Sequence, residues 1–177
     1  MGLFAGMVLA AALMADKPAE DPMLDLRKAD AVAHALQQAG YKAELRTDSK
    51  GKTYIASAAN GQNFSIQFYD CDDDGCNSFQ FYTWYKKQDY FSPALTNDWN
   101  AHKRFLKIAI DDDGDLSEYL DVSAVGGVTQ KHFADLVDWF AVMDADLAKY
   151  LDEHGGKASP KTATIGTTAP SDTPAAE

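Results

Sequence analysis

Four aromatic-rich segments in the middle of the chain are separated by short turn signals, and this pattern constrains the fold most. The separators are Asp48-Ser49-Lys50-Gly51, Asn60-Gly61 and Asp72-Asp73-Asp74-Gly75, which are typical of tight hairpin connections. The segments are therefore predicted to form an antiparallel meander. Their predicted bounds are 41–46, 53–58, 63–70 and 78–85.

Helical patterns surround these strands. Apolar residues from Leu26 to Ala39 recur at helical spacing before Gly40, and a second helix is predicted after Pro93 with Thr96 as its N-cap. A further hairpin is predicted from 106–110 and 116–122, followed by a long amphipathic helix capped by Thr129. The order α-β-β-β-β-α-β-β-α predicts an α+β fold, an antiparallel sheet flanked by helices.

The charge of the chain argues against two classes of partner. Its 177 residues carry a formal net charge of −11 with a pI near 4.6. Phosphate-backbone binding requires clustered Lys and Arg, and an anionic membrane surface would repel such a chain. Nucleic acid and membrane surfaces are therefore not expected as partners.

The two ends differ in composition from the middle. Residues 3–15 form an apolar run too short to span a bilayer, and we interpret residues 1–15 as a signal peptide, although no Lys or Arg precedes the run. This interpretation predicts a periplasmic or secreted protein, with the cytoplasm as the alternative. Residues 23–154 are the predicted domain, and residues 155–177 a solvated tail rich in Pro, Thr and Ala.

Cys71 and Cys76 flank an acidic turn. In an oxidising compartment they are expected to form a disulfide, whereas in the cytoplasm they would be free thiols. The turn from Asp70 to Asp74 resembles the start of a calcium loop, but Phe81 stands where the bidentate Glu is needed and strands flank the turn. An ordinary hairpin turn is the preferred interpretation, and no metal or cofactor is predicted.

Strand alternation predicts that the sheet has aromatic side chains on both faces. Phe64, Ile66 and Phe68 should face one side, and Tyr69, Tyr82 and Trp84 the other. The second face needs a cover, which would be a helix of the same chain, a twin subunit or a bound polypeptide.

Trp99 and Arg104 are residue types that are common in binding hot spots, which makes them candidates for the binding surface. The alternative is that Trp99 seats the second helix on the sheet while Asn97 or Asn100 satisfies nearby backbone groups.

Several segments resemble one bacterial family. They are Ala39-Gly40-Tyr41, the strand Phe64-Ser65-Ile66-Gln67-Phe68-Tyr69, Cys71 and Cys76 leading into Ser78-Phe79-Gln80-Phe81-Tyr82, Asn97-Asp98-Trp99-Asn100 with Lys103-Arg104-Phe105, and Asp121 with Gly126-Gly127-Val128-Thr129. Over about residues 24–151 the chain resembles the YbjN family. The resemblance implies a fold similar to type III secretion chaperones, which commonly dimerise, and the label "putative sensory transduction regulator"; it supplies no catalytic residues.

These observations together predict a non-enzymatic, protein-binding, chaperone-like or regulatory module of the cell envelope. The predicted binding surface comprises Tyr69, Tyr82, Trp84, Trp99 and Arg104. Its protein partner is not identified by the sequence, and a homodimer is one possibility. The alternative function is a periplasmic calcium-binding protein or enzyme that uses the Asp70–Asp74 turn.

Overall fold

The computed structural model describes residues 21–155. The predicted signal peptide and residues 156–177 of the predicted tail lie outside this range. Within it, the helices are α1 (Ala29–Gln38), α2 (Pro93–His102) and α3 (Gln130–Gly155). The strands are β1 (Met23–Leu24), β2 (Glu44–Thr47), β3 (Thr53–Ala59), β4 (Gln62–Asp72), β5 (Gly75–Tyr85), β6 (Lys107–Ile110), β7 (Leu116–Ser123) and β8 (Val128–Thr129).

Six strands form one antiparallel sheet in the order β2-β3-β4-β5-β7-β6. Strands β2 to β5 form the predicted meander, and β7 then adds to β5 so that β6 becomes an edge. The remaining strands, β1 and β8, pair with each other in a separate two-stranded ladder. The α+β class and the predicted order of helices and main strands are confirmed.

The hydrophobic core lies on one face of this sheet, beneath the helices. Phe64 and Ile66 of β4, with Phe79 and Phe81 of β5, point into it as the alternation predicts. Rings of α3 pack on them, with the ring centroids of Phe81 and Phe140 5.3 Å apart. Buried side chains from all three helices belong to this same cluster: Val32, Ala33, Ala35, Leu36, Leu95, Trp99, Phe133, Val137, Phe140, Ala141, Met143, Leu147 and Leu151.

Helix α2 closes the β6 edge of the sheet. Trp99 is 1% exposed, and its indole nitrogen donates to the Leu106 carbonyl at 3.1 Å. The Asn100 side chain accepts from the Ile108 N–H at 3.0 Å and donates to the Ile108 carbonyl at 2.9 Å. A side-chain amide thus bonds to both polar groups of an edge residue that would otherwise be open to pairing.

Some predicted boundaries are wrong. Helix α2 begins at Pro93, and Ser92, rather than Thr96, is its N-cap: Ser92 Oγ accepts from the Leu95 N–H at 3.3 Å. Proline suits the first helical position because its φ is already helical and its missing N–H has no intrahelical partner there. The prediction that Thr129 caps α3 is confirmed, since its Oγ1 accepts from the His132 N–H at 3.2 Å.

Candidate binding surface

The second sheet face has a regular arrangement of side chains set by the strand register. One row across the strands consists of Arg46, Tyr54, Gln67, Gln80 and Asp121. The next row consists of Glu44, Ala56, Ser65, Tyr82, Tyr119 and Lys107. We call these two rows, together with the adjoining Tyr69, Trp84 and Ser117, the outer face.

The outer face is separate from the core. Ala56 and Tyr82 are buried, yet neither belongs to the hydrophobic cluster beneath the helices. Because all the buried apolar side chains of the helices belong to that cluster, the helices of residues 21–155 lie on the other side of the sheet. The described part of the chain therefore places no helix on the outer face.

Hydrogen bonds link the polar side chains of the first row. Gln80 Nε2 donates to Asp121 Oδ1 at 2.7 Å. The Tyr69 hydroxyl lies 2.9 Å from Gln67 Oε1 and 3.3 Å from Gln80 Oε1. These contacts hold the side chains of three neighbouring strands in fixed positions, which reduces the entropy that a partner must remove on binding.

Two tyrosines lie side by side in the second row. Tyr82 pairs with Tyr119 across β5 and β7, and its hydroxyl lies 3.0 Å from Ser117 Oγ. Burial raises the pKa of both tyrosines, so they stay neutral at physiological pH. Tyrosine combines a large apolar ring with a hydroxyl, and it is enriched in protein interfaces for that reason.

The five predicted surface residues do not form one surface. Tyr69, Tyr82 and Trp84 share the outer face, where Tyr69 is 40% exposed and Tyr82 only 8%. Trp99 is buried between α2 and the core, so it is a packing residue and its place in the predicted surface was wrong. This outcome follows the alternative in which Trp99 seats the helix and Asn100 satisfies the backbone.

Arg104 is exposed, but it lies beside the helices and away from the outer face. Its guanidinium carbon is 5.0 Å from the centroid of the Phe105 ring, and that ring packs against Trp139 of α3 with centroids 4.9 Å apart. Trp139 belongs to the helix layer, so Arg104 does not extend the surface formed by Tyr69 and Trp84.

The predicted disulfide is present between Cys71 and Cys76, which pair across the end of the β4–β5 hairpin. The acidic residues between and beside them are used in the turn. Asp72 Oδ1 accepts from the N–H groups of Asp74 and Gly75, and Asp70 accepts from Asn77 at 2.8 Å. Residues 21–155 contain no group of three or more side chains placed to hold a metal ion.

Sequence reasoning missed two acidic residues in the core, Glu118 and Asp144. Glu118 is 0% exposed and Asp144 3%. A signal for both was available: Glu118 alternates with Leu116 and Leu120 on the buried side of its strand, and Asp144 lies between Phe140 and Leu147 on the apolar stripe of α3.

Comparison with known protein families decides the relationship suggested by the sequence. The family model of YbjN, described as a putative bacterial sensory transduction regulator, matches residues 28–153. The chain belongs to the YbjN family. The matched range covers α1 through almost all of α3, and the family description names a regulator and no catalytic activity. No curated protein matches the chain.

Among residues 21–155, no helix has the length and apolar character needed to cross a bilayer.

Proposed function

We propose that this YbjN-family protein is a non-enzymatic, protein-binding module whose working surface is the outer face of its sheet. The observation that carries the proposal is the unequal use of the two faces. One face is buried beneath three helices, while the other presents tyrosines and a hydrogen-bonded row of polar side chains. A surface that combines tyrosines with adaptable hydrogen-bonding groups is characteristic of interaction sites.

The composition of the outer face favours recognition by contact. Tyr69, Trp84 and Tyr119 offer ring area with little side-chain entropy to lose, and Gln67, Gln80 and Asp121 offer hydrogen-bonding groups in a fixed row. A partner would bury the rings and bond to the row. Such a partner is either another protein or a second copy of this chain.

We further propose that the protein works in the cell envelope. The Cys71–Cys76 pairing supports this location because disulfides persist in oxidising compartments such as the periplasm. The apolar run at residues 3–15 is a second feature that supports export.

The proposal is tested with a double variant of the outer face, Tyr69→Ser with Trp84→Ser. The matched control is Trp139→Ser with Val142→Ser, which removes two exposed apolar side chains from α3; Trp139 is 41% exposed, close to the value of Tyr69. Each immobilised protein is incubated with envelope extract, retained proteins are identified by mass spectrometry, and self-association is measured by sedimentation velocity. Circular dichroism verifies that each variant is folded.

We expect wild type and the control to retain the same partner or to form the same dimer, and the outer-face variant to lose it. Loss of a dimer would identify a second copy as the occupant, and loss of a retained protein would identify a heterologous partner. Equal retention and equal self-association of all three proteins would contradict the proposal.

A further inference from the structure

Two buried carboxyl groups lie next to each other in the core, those of Glu118 and Asp144. Glu118 projects from β7, and neither of its carboxylate oxygens accepts a hydrogen bond from a standard donor among residues 21–155. Its contact with the Asp144 carboxyl becomes a hydrogen bond when one of the two groups is protonated. Asp144 projects from α3, and its Oδ1 accepts a long hydrogen bond of 3.4 Å from the Tyr85 hydroxyl. The pair therefore joins β7 to the C-terminal half of α3.

The elements packed around the pair supply no positive charge. Across β5 and β6, Glu118 is flanked by Thr83 and Ile108, and the Thr83 hydroxyl donates to the Asn63 carbonyl instead. The other titratable groups that act on the cluster are the phenols of Tyr85 and Tyr90, which are neutral or anionic but never cationic.

The lysines nearest in sequence to Glu118 and Asp144 are engaged elsewhere. Lys107 Nζ donates to the carbonyls of Asn100 and Lys103 at 3.1 Å. Lys149 pairs with Glu153 at 3.9 Å. Neither Glu118 nor Asp144 takes part in an ion pair among the described residues. Two adjacent anions in a dry core would be strongly unfavourable, so one of the carboxyls must hold a proton.

The direction of titration follows from these surroundings. Burial, and then the charge of Asp144, raises the pKa of Glu118 well above its usual value. Burial also raises the pKa of Asp144. The folded chain therefore keeps a proton that the unfolded chain releases at a lower pH.

We propose that the Glu118–Asp144 pair is a proton-operated latch that holds the C-terminal half of α3, residues 141–155, against the sheet. With a proton bound, the pair is neutral enough to stay buried. When the proton is lost, the two carboxyls repel each other and are released to water, and this half of α3 separates from β7. The latch is on the core side of the sheet, so it does not depend on the function proposed for the outer face.

Separation would affect a limited part of the molecule. Residues 141–155 contribute Ala141, Met143, Leu147 and Leu151 to the core. The Tyr150 hydroxyl donates to the Leu95 carbonyl of α2 at 3.1 Å. Phe140 and Phe133 in the first half of the helix would remain packed on Phe64 of β4 and Phe79 of β5. Opening would therefore expose the C-terminal apolar stripe and loosen α2 without unfolding the sheet.

The test is amide hydrogen exchange of the wild-type protein between pH 5 and pH 9, with exchange rates corrected for the intrinsic effect of pH. Because the latched state holds one more proton than the opened state, the opening constant of amides in residues 143–151 should rise up to tenfold per pH unit above the usual carboxyl range. It should level off once the native pKa is passed. These amides should open more readily than those of β4 and β5, which report global unfolding.

Two variants remove the titration. In Glu118→Gln and Asp144→Asn, the opening constant of residues 143–151 should become nearly independent of pH. The control Asp135→Asn removes one exposed charge from the same helix and should retain the wild-type dependence. If either core variant does not fold, carbon-13 NMR of the wild-type carboxyl groups supplies the second measurement, and titration of both core carboxyls in their usual range would overturn the latch.

Two exchange results would also overturn it. One is that residues 143–151 and the amides of β4 and β5 open with the same constant at every pH, which would mean that only global unfolding occurs. The other is that the pH dependence persists unchanged in Glu118→Gln.

Discussion

Asn100 shows how one side chain can determine the end of a sheet. Its amide bonds both the N–H and the carbonyl of Ile108, and the sequence had indicated this role for Asn97 or Asn100. We expect Asn100→Ala to lower the free energy of unfolding by about 1–3 kcal/mol, because it leaves partly buried backbone groups without partners. Urea denaturation followed by circular dichroism measures the change.

Asn97→Ala is the matched control for this prediction. Asn97 lies on the same helix and is exposed. The hydrogen bonds to Ile108 come from Asn100 instead. Its replacement should change stability by less than about 0.5 kcal/mol, as is usual at the surface. Equal effects of the two substitutions would show that Asn100 does not secure the edge.

The acidic pair in the core shows the limit of prediction from single residues. The positions of Glu118 and Asp144 in the apolar patterns indicate burial, whereas their charge indicates exposure. The conflict is resolved only when both side chains meet in the folded chain, because each then alters the protonation of the other. This contact joins a strand to a helix, so it cannot be predicted from the sequence pattern of either segment alone.

The β4–β5 hairpin is held to the rest of the protein at its tip. The N–H of Cys76 donates to the Arg27 carbonyl at 2.7 Å, and a Cβ at Gly75 would lie 2.6 Å from that same oxygen. We expect Gly75→Ala to cost more stability than the roughly 1–2 kcal/mol of a positive φ alone, because the hairpin tip must also move away from Arg27. Thermal and urea unfolding would measure the loss.

Gly51→Ala separates the two effects. Gly51 also has a positive φ, but nothing lies within 4 Å of its added Cβ, so this variant bears the conformational cost without the close approach. The difference between the variants measures the contact at Arg27. If Gly51→Ala is as destabilising as Gly75→Ala, the tip does not depend on that contact.

The sequence predicted whether each main segment is a strand or a helix, but it predicted the residues at which these elements begin and end less well. The turn signals identified every main strand, because hairpin connections need residues such as Asn60-Gly61 that accept positive φ. The first residues of α2 were assigned wrongly, since Ser92 and Thr96 are both acceptable caps and the choice depends on Pro93. The pair β1 and β8 was not predicted, because two-residue strands carry no periodicity and form only when distant segments meet.

The two faces of the sheet give the whole molecule its organisation. Alternation in β4 and β5 predicted which residues face the helices and which form the outer face, and this division is confirmed for Phe64, Ile66, Tyr69 and Tyr82. The contents of the binding surface were predicted less well. Trp99 and Arg104 were grouped with Tyr69 by residue type, but the fold places all three in different surroundings.

The hydrophobic cluster of the described residues leads to a prediction about domain limits. It extends from Leu26 to Leu151, and the domain predicted from the sequence is residues 23–154. A fragment of residues 21–155 should therefore unfold cooperatively, with a free energy within about 0.5 kcal/mol of the full chain. Urea denaturation of both proteins, monitored by tryptophan fluorescence, provides the comparison.

A shorter fragment supplies the contrast. Ending the chain at residue 146 removes Leu147 and Leu151, which are both buried, and deleting one buried leucine side chain already costs about 2–5 kcal/mol. Loss of both removes a large part of the stability of an ordinary domain, so this fragment should keep its sheet but unfold at a much lower urea concentration than residues 21–155. If residues 21–155 behaved like this shorter fragment, buried contacts from the chain ends would be essential, and the domain limits inferred from the core would be wrong.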